Sequence, residues 1–152
     1  MASGSGLAKE AVSKEAASVA ACDAVAAHPD DPDKVGPGHV KAQIDLPAGI
    51  TICREAAAAD SGNLRIRYQL ARMLFYSGDR GESLKYMKSA ADDGYRQAQF
   101  VYGVFINYQR DGAPKDLCLT EGYWQKSALA GRQAARVNYV RERLNNRFKG
   151  CD

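Results

Sequence analysis

The residues of this chain with most chemistry to offer are four cysteines: Cys22, Cys53, Cys118 and Cys151. They are even in number and widely spaced. There is no Cys-x-x-Cys and no Cys/His cluster at metal-ligand spacing, so no metal and no cofactor is expected. Four cysteines allow three disulfide pairings. Joining neighbours in sequence order gives Cys22–Cys53 and Cys118–Cys151. Each bond would close a loop of about 30 residues, worth roughly 3–4 kcal/mol in the loop-entropy model. Two disulfides imply an oxidising compartment. The competing reading is four buried thiols in a reducing one.

Other reactive groups are sparse. His28 and His39 are the two histidines, and both fall in a Pro/Gly-rich stretch without a spaced partner. A Cys/His nucleophile pair meets only in space, and cysteines spent on disulfides leave no thiolate for it. Asp30, Asp31 and Asp33 suggest calcium, but Pro32 interrupts them, and the loop lacks the order and terminal Glu of an EF-hand. Asp-Pro turn chemistry explains them better. Gly36-Pro-Gly38 does not open a helix as a phosphate-binding loop would. No catalytic residue is assigned, and the chain is expected not to be an enzyme.

Charge is distributed unevenly. The net charge of the 152 residues is +3, too small to imply nucleic acid by itself. Residues 23–60 hold seven acids against three Lys/Arg, a net of −4, and residues 132–152 hold six Lys/Arg against two acids, a net of +4. Such ends could steer a partner or set end-to-end contacts. Arg132, Arg136, Arg141, Arg143 and Arg147 lack the interleaved aromatics of a nucleic-acid surface, so no nucleic-acid partner is expected. No apolar run approaches the roughly 18 residues of a membrane span. Apolar residues at 45% and charged residues at 26% are ordinary globular composition.

These residues need elements to position them. Met1-Ala-Ser-Gly-Ser-Gly6 reads as an expression scar, and a native signal peptide is expected to be missing with it. Residues 7–62 form a front unit. It begins with an Ala/Lys/Glu-rich helix over Leu7–Ala27. His28 to Gly38, with three prolines, two glycines and three aspartates after His28, then forbids a helix and makes an ordered crossing. Asp45 is an N-cap with Pro47 in the first turn, and the helix it opens runs to about Ala59.

From Gly62 onward, residues 63–152 repeat. Gly62, Gly94 and Gly131 serve as markers, spaced by 32 and 37 residues. Four residues after each comes Ile66, Ala98 or Ala135; eight after comes Leu70, Tyr102 or Tyr139, then Ala71, Gly103 or Val140. Second helices, Glu82–Asp92 and Asp116–Ala130, lead to the next glycine, and Tyr86-Met-Lys-Ser-Ala90 corresponds to Trp124-Gln-Lys-Ser-Ala128. Such a period specifies helical hairpins that stack. Small residues at Ala71, Gly103, Ala90, Ala91 and Ala128 let helices approach. Leu70, Leu74, Phe105, Ile106, Tyr123 and Trp124 fill the spaces between hairpins. The glycines suit the left-handed position that ends each second helix.

Gly112-Ala-Pro-Lys-Asp116, between a helix ending in Tyr108-Gln-Arg-Asp-Gly112 and one carrying Tyr123-Trp-Gln-Lys-Ser-Ala128, resembles a Sel-one-like repeat, a relative of the tetratricopeptide repeat. The aromatic pair is reversed and Ser127 replaces one alanine of that pattern. Residues 95–131 match well. Residues 63–94 match less well, because the Ser77-Gly-Asp-Arg-Gly81 connector is short. Residues 132–148 look like a first helix acting as a C-terminal cap. At the front, Ala21-Cys-Asp23, His28-Pro-Asp-Asp-Pro32, Ile44-Asp45 and Cys53 resemble a cysteine-bearing segment ahead of such repeats in exported proteobacterial proteins. That resemblance supports the Cys22–Cys53 pairing and a periplasmic or secreted setting.

The expected fold is therefore all-α, a short right-handed solenoid of antiparallel helical hairpins. Register with the tetratricopeptide pattern places Arg65, Tyr68, Arg72, Tyr76, Gln97, Phe100, Val104, Asn107, Tyr108 and Arg141 on a concave partner-binding groove. Arg72 and Arg141 would be its cationic ends. The resemblance implies a non-catalytic adaptor or scaffold in the bacterial envelope, holding another protein or an acidic, partly apolar peptide segment. Two other readings are a regulatory or targeting domain of a larger enzyme or envelope protein, and a cell-wall glycan binder stacking sugars on Tyr76, Tyr102 and Tyr108.

Overall fold

The computed structural model describes residues 4–110 and 112–152. Met1–Ser3 of the segment read as an expression scar, and Asp111 of the second connector, lie outside the described residues. Among the described residues the fold is all-helical. Seven helices follow one another: α1 Gly4–Ala26, α2 Leu46–Ala59, α3 Leu64–Ser77, α4 Arg80–Asp92, α5 Arg96–Asn107, α6 Leu117–Leu129 and α7 Gln133–Leu144. Short 3-10 turns lie at Lys41–Gln43 and Lys149–Cys151. Each helix packs on its neighbour in sequence, and α1 also packs on α3. No described helix is long and apolar enough to cross a membrane.

The helix starts are set by polar caps. Asp45 accepts from the Ala48 amide at 3.1 Å, with Pro47 in the first turn. Asn63, Asp79 and Asp116 do the same for α3, α4 and α6. Each cap satisfies amides that the first turn leaves without a partner, worth about 1 kcal/mol. Gly94 and Gly131 take φ of 104° and 91° just after α4 and α6, the left-handed position expected for glycines that end these helices. Gly62 does not, because α2 already ends at Ala59 and the amide of the next residue, Asp60, returns to Ala56. α7 stops at Leu144, short of the expected 148. The backbone then turns at Asn146 (φ 58°) and drops Phe148 into the interior against Trp124 and Tyr139.

Two cores result. The front one joins Cys22 and Ala26 of α1, Cys53 and Ala56 of α2, and Ile66, Leu70, Met73 and Leu74 of α3. The second joins α3, α4, α5 and α6 through Tyr68, Ala71, Met87, Ala90, Ala98, Tyr102 and Tyr123. Trp124 is 2% exposed and lies on Gly103, where an added Cβ would come within 2.5 Å of the indole. Its Nε1–H donates to the Phe100 carbonyl at 3.1 Å. The small residue in α5 is thus what lets the largest residue of α6 reach the core.

Both disulfides pair neighbours in sequence order. Cys22–Cys53 ties α1 to α2 and is fully buried. Cys118–Cys151 ties the C-terminal turn to the start of α6, where Cys118 is exposed.

Candidate binding cleft

The end of α1 and the front crossing that follows it, residues 27–45, are tied down by α3 and α5. Arg65 of α3 forms a two-pronged pair with Asp23 at 2.8 and 2.9 Å. Arg96 of α5 holds Asp33 in the same way at 2.7 and 2.8 Å. Between them Asp31, fully buried, accepts from the Tyr95 hydroxyl at 2.6 Å. Burial pushes the Asp31 carboxyl above its ordinary value, while the Tyr95 hydroxyl pulls the other way. The Arg96 guanidinium holds Asp33 below its own. The three aspartates of the loop therefore have separate duties: Asp31 is a buried acceptor, Asp33 an ion-pair partner, and Asp30 is exposed.

Beside this crossing lies a cleft of about 380 Å³ between α3 and α5. Phe75, Phe100, Val101, Val104 and Phe105 supply apolar wall, with Met87 of α4 beneath. Tyr68, Arg72, Tyr76, Gln97, His28, Asp30 and Arg132 supply the polar groups. Helical spacing explains the set: 68, 72, 75 and 76 share a face of α3, and 97, 100, 101, 104 and 105 share a face of α5. Arg132 enters from the turn before α7. Its guanidinium lies 5.1 Å from the centre of the Phe100 ring, and its Nε–H donates to Gln97 Oε1 at 2.6 Å.

Six residues expected on the groove line this one cleft: Tyr68, Arg72, Tyr76, Gln97, Phe100 and Val104. Four do not. Arg65 is taken by Asp23. Asn107 is half-buried outside the cleft, its Oδ1 without a hydrogen-bond partner. Tyr108 follows the end of α5 and is 64% exposed. Arg141 lies on α7 beside Val137, Val140 and Leu144, bonded to Asn138 and Glu142.

Arg72 needs a further correction. The repeat register makes it an available cation at one end of the groove, yet it is only 4% exposed. Its guanidinium donates to the carbonyls of Ala26 at 2.9 Å, Ala27 at 3.1 Å and His39. The α1–loop junction needs donors for carbonyls that end a helix, and Arg72 provides them. The accessible cation of the cleft is Arg132, not Arg141. Tyr102, offered with Tyr76 and Tyr108 as a sugar-stacking face, is buried edge-on against Tyr123 at 5.0 Å. Those three rings do not form one surface.

Sequence reasoning missed His28, Asp30, Phe75, Met87, Val101, Phe105 and Arg132. The α3 and α5 members were legible by adding helical neighbours to the expected ones. His28 and Asp30 were not, because they depend on where the crossing lies. The chain matches no family model, no curated protein and no solved structure.

Proposed function

We propose that this protein is a non-catalytic protein-binding module, a short right-handed solenoid of Sel-one-like, tetratricopeptide-like hairpins. It holds an acidic, partly apolar segment of another protein in the cleft between α3 and α5. The observation that carries this reading is the cleft itself: an apolar wall beside the Arg132 guanidinium, which has no ion-pair partner among the described residues. A ligand that brings apolar side chains and negative charge complements both features.

The repeat reading is supported by a contact made twice. Ser83 of α4 donates to the Ala71 carbonyl of α3 at 2.6 Å, and Thr120 of α6 donates to the Gly103 carbonyl of α5 at 3.4 Å. Ala71 and Gly103 are equivalent in register. A periplasmic or secreted setting is supported by the two disulfides.

Affinity capture from envelope extract of the native host tests the reading. Val104→Arg places a charge in the cleft, while Leu129→Arg changes an 83% exposed residue outside it. The wild type and the Leu129 variant should retain one specific protein that the Val104 variant loses. Equal capture by all three would remove the cleft from the account.

A further inference from the structure

Three polar groups of the cleft have their acceptor positions filled from behind. An arginine has only donors, so Arg132 forces Gln97 to present Oε1 to it at 2.6 Å. The Gln97 Nε2 group must then donate to the Tyr68 hydroxyl, at 3.1 Å. Tyr68 is consequently an acceptor in that bond, and its own proton has no partner among the described residues, although the ring is 2% exposed. Arg72 Nε–H likewise donates to the Tyr76 hydroxyl at 3.3 Å, leaving the Tyr76 proton unspent. The third case is His28. Its Nδ1 accepts the Asp30 amide at 3.0 Å, so the neutral ring carries its proton on Nε2. Burial and the nearby Arg72 charge keep its pKa lowered, which favours that neutral form.

Arg132 adds two terminal amino groups with no hydrogen-bond partner among the described residues. The wall thus holds unspent donors from Tyr68, Tyr76, His28 and Arg132. Asp30 is the carboxylate among the lining residues, exposed and screened by water, while Asp31, whose charge also reaches Tyr68 and Arg132, is buried and bonded to Tyr95. A buried donor without an acceptor costs free energy that a ligand acceptor recovers.

Resting on the protein-binding reading, we infer that the polar side of the cleft is a seat for one carboxylate, carried next to a large apolar side group of the bound peptide. The carboxylate accepts from Tyr68, His28 and Arg132, and the apolar group lies on the Phe75, Val101 and Phe105 wall. At about 380 Å³ the cleft is at the small end of the range for ligand pockets. It holds a residue or two, not a long segment. Either the free C-terminus of a partner or one of its Asp/Glu residues supplies this chemistry.

Backbone amide NMR of the intact, disulfide-bonded protein tests the seat with small probes. 3-Phenylpropanoate should shift the amides of residues 68–76, 97–105 and 132. Its neutral primary amide should bind about tenfold more weakly or worse. Arg132→Met should cause a similar loss while the protein stays folded, with its melting temperature lowered because Gln97 Oε1 loses its donor, and Tyr68→Phe should do so without altering charge. Asp30→Asn should tighten binding, which a merely structural role would not produce. N-acetyl-Gly-Phe with a free C-terminus and N-acetyl-Glu-Phe-amide then separate the two sources. Equal binding of the acid and its amide would overturn the carboxylate seat while leaving an apolar protein-binding cleft. Absence of any shift with the acid at millimolar concentration would overturn it as well.

Discussion

Tyr95 and Asp31 are 64 residues apart and share a hydrogen bond of 2.6 Å in the interior, the hydroxyl donating to the carboxylate. This bond fastens the front crossing to the start of α5. Tyr95→Phe keeps the ring packed on Tyr68 and deletes only the donor. Leaving a buried carboxylate short of a partner should lower stability by about 1–3 kcal/mol. Denaturant unfolding measures it; an unchanged midpoint would mean that the crossing is held without this bond.

Asp31 also predicts an unusual pH response. Its folded pKa is raised above the ordinary 3.8 by burial. Its contribution is therefore complete below that value and is lost as pH rises through the folded pKa. Asp33, lowered by Arg96, acts oppositely: its contribution is present above 3.8 and is lost as pH falls. Asp31→Asn removes the first effect alone. The variant should gain stability relative to wild type on going from about pH 4 to about pH 8. A difference independent of pH, in denaturant midpoints taken at both values, would contradict this.

Arg72 and Arg141 lie at the same distance in sequence after Gly62 and Gly131 and should respond differently. Arg72→Glu puts a carboxylate against three backbone carbonyls, and should cost at least about 3 kcal/mol. Arg141→Glu changes an exposed residue and should stay within about 0.5 kcal/mol. Thermal melts of the two single variants decide the matter.

The Gly103–Trp124 contact should be intolerant from both sides. Trp124→Ala empties a buried site and should cost about 3–5 kcal/mol. Gly103→Ala drives a methyl group to 2.5 Å from the indole and should cost about 1–3 kcal/mol. If Gly103→Ala were neutral in denaturant unfolding, the two helices would have room that the packing denies.

The helices were legible because their signals are local. Asp45 with Pro47, the Gly94 and Gly131 stops, and the small-residue spacing at Ala71 and Gly103 each act within one or two turns. The disulfide pairing was legible because neighbours in sequence are neighbours in this stack of helices. The cleft was legible in part. Helical register found Tyr68, Tyr76, Gln97, Phe100 and Val104, but register says nothing of what another segment lays across a helix. The crossing covers Arg72 with its residues 27–39 and brings in His28 and Asp30. Its route is set by Asp31–Tyr95 and Asp33–Arg96, pairs 64 and 63 residues apart in sequence. Nor does periodicity show that Arg132, in a turn, reaches Phe100 and Gln97.

The central claim is that the α3–α5 cleft holds another protein, and site-specific photo-crosslinking in the native host tests it most directly. A photoreactive phenylalanine analogue replaces Val104 in the cleft, or Leu129 outside it. The account predicts one discrete crosslinked protein from position 104, absent from position 129 and suppressed by Arg132→Met. A partner crosslinked equally from both positions, or from 129 alone, would contradict it.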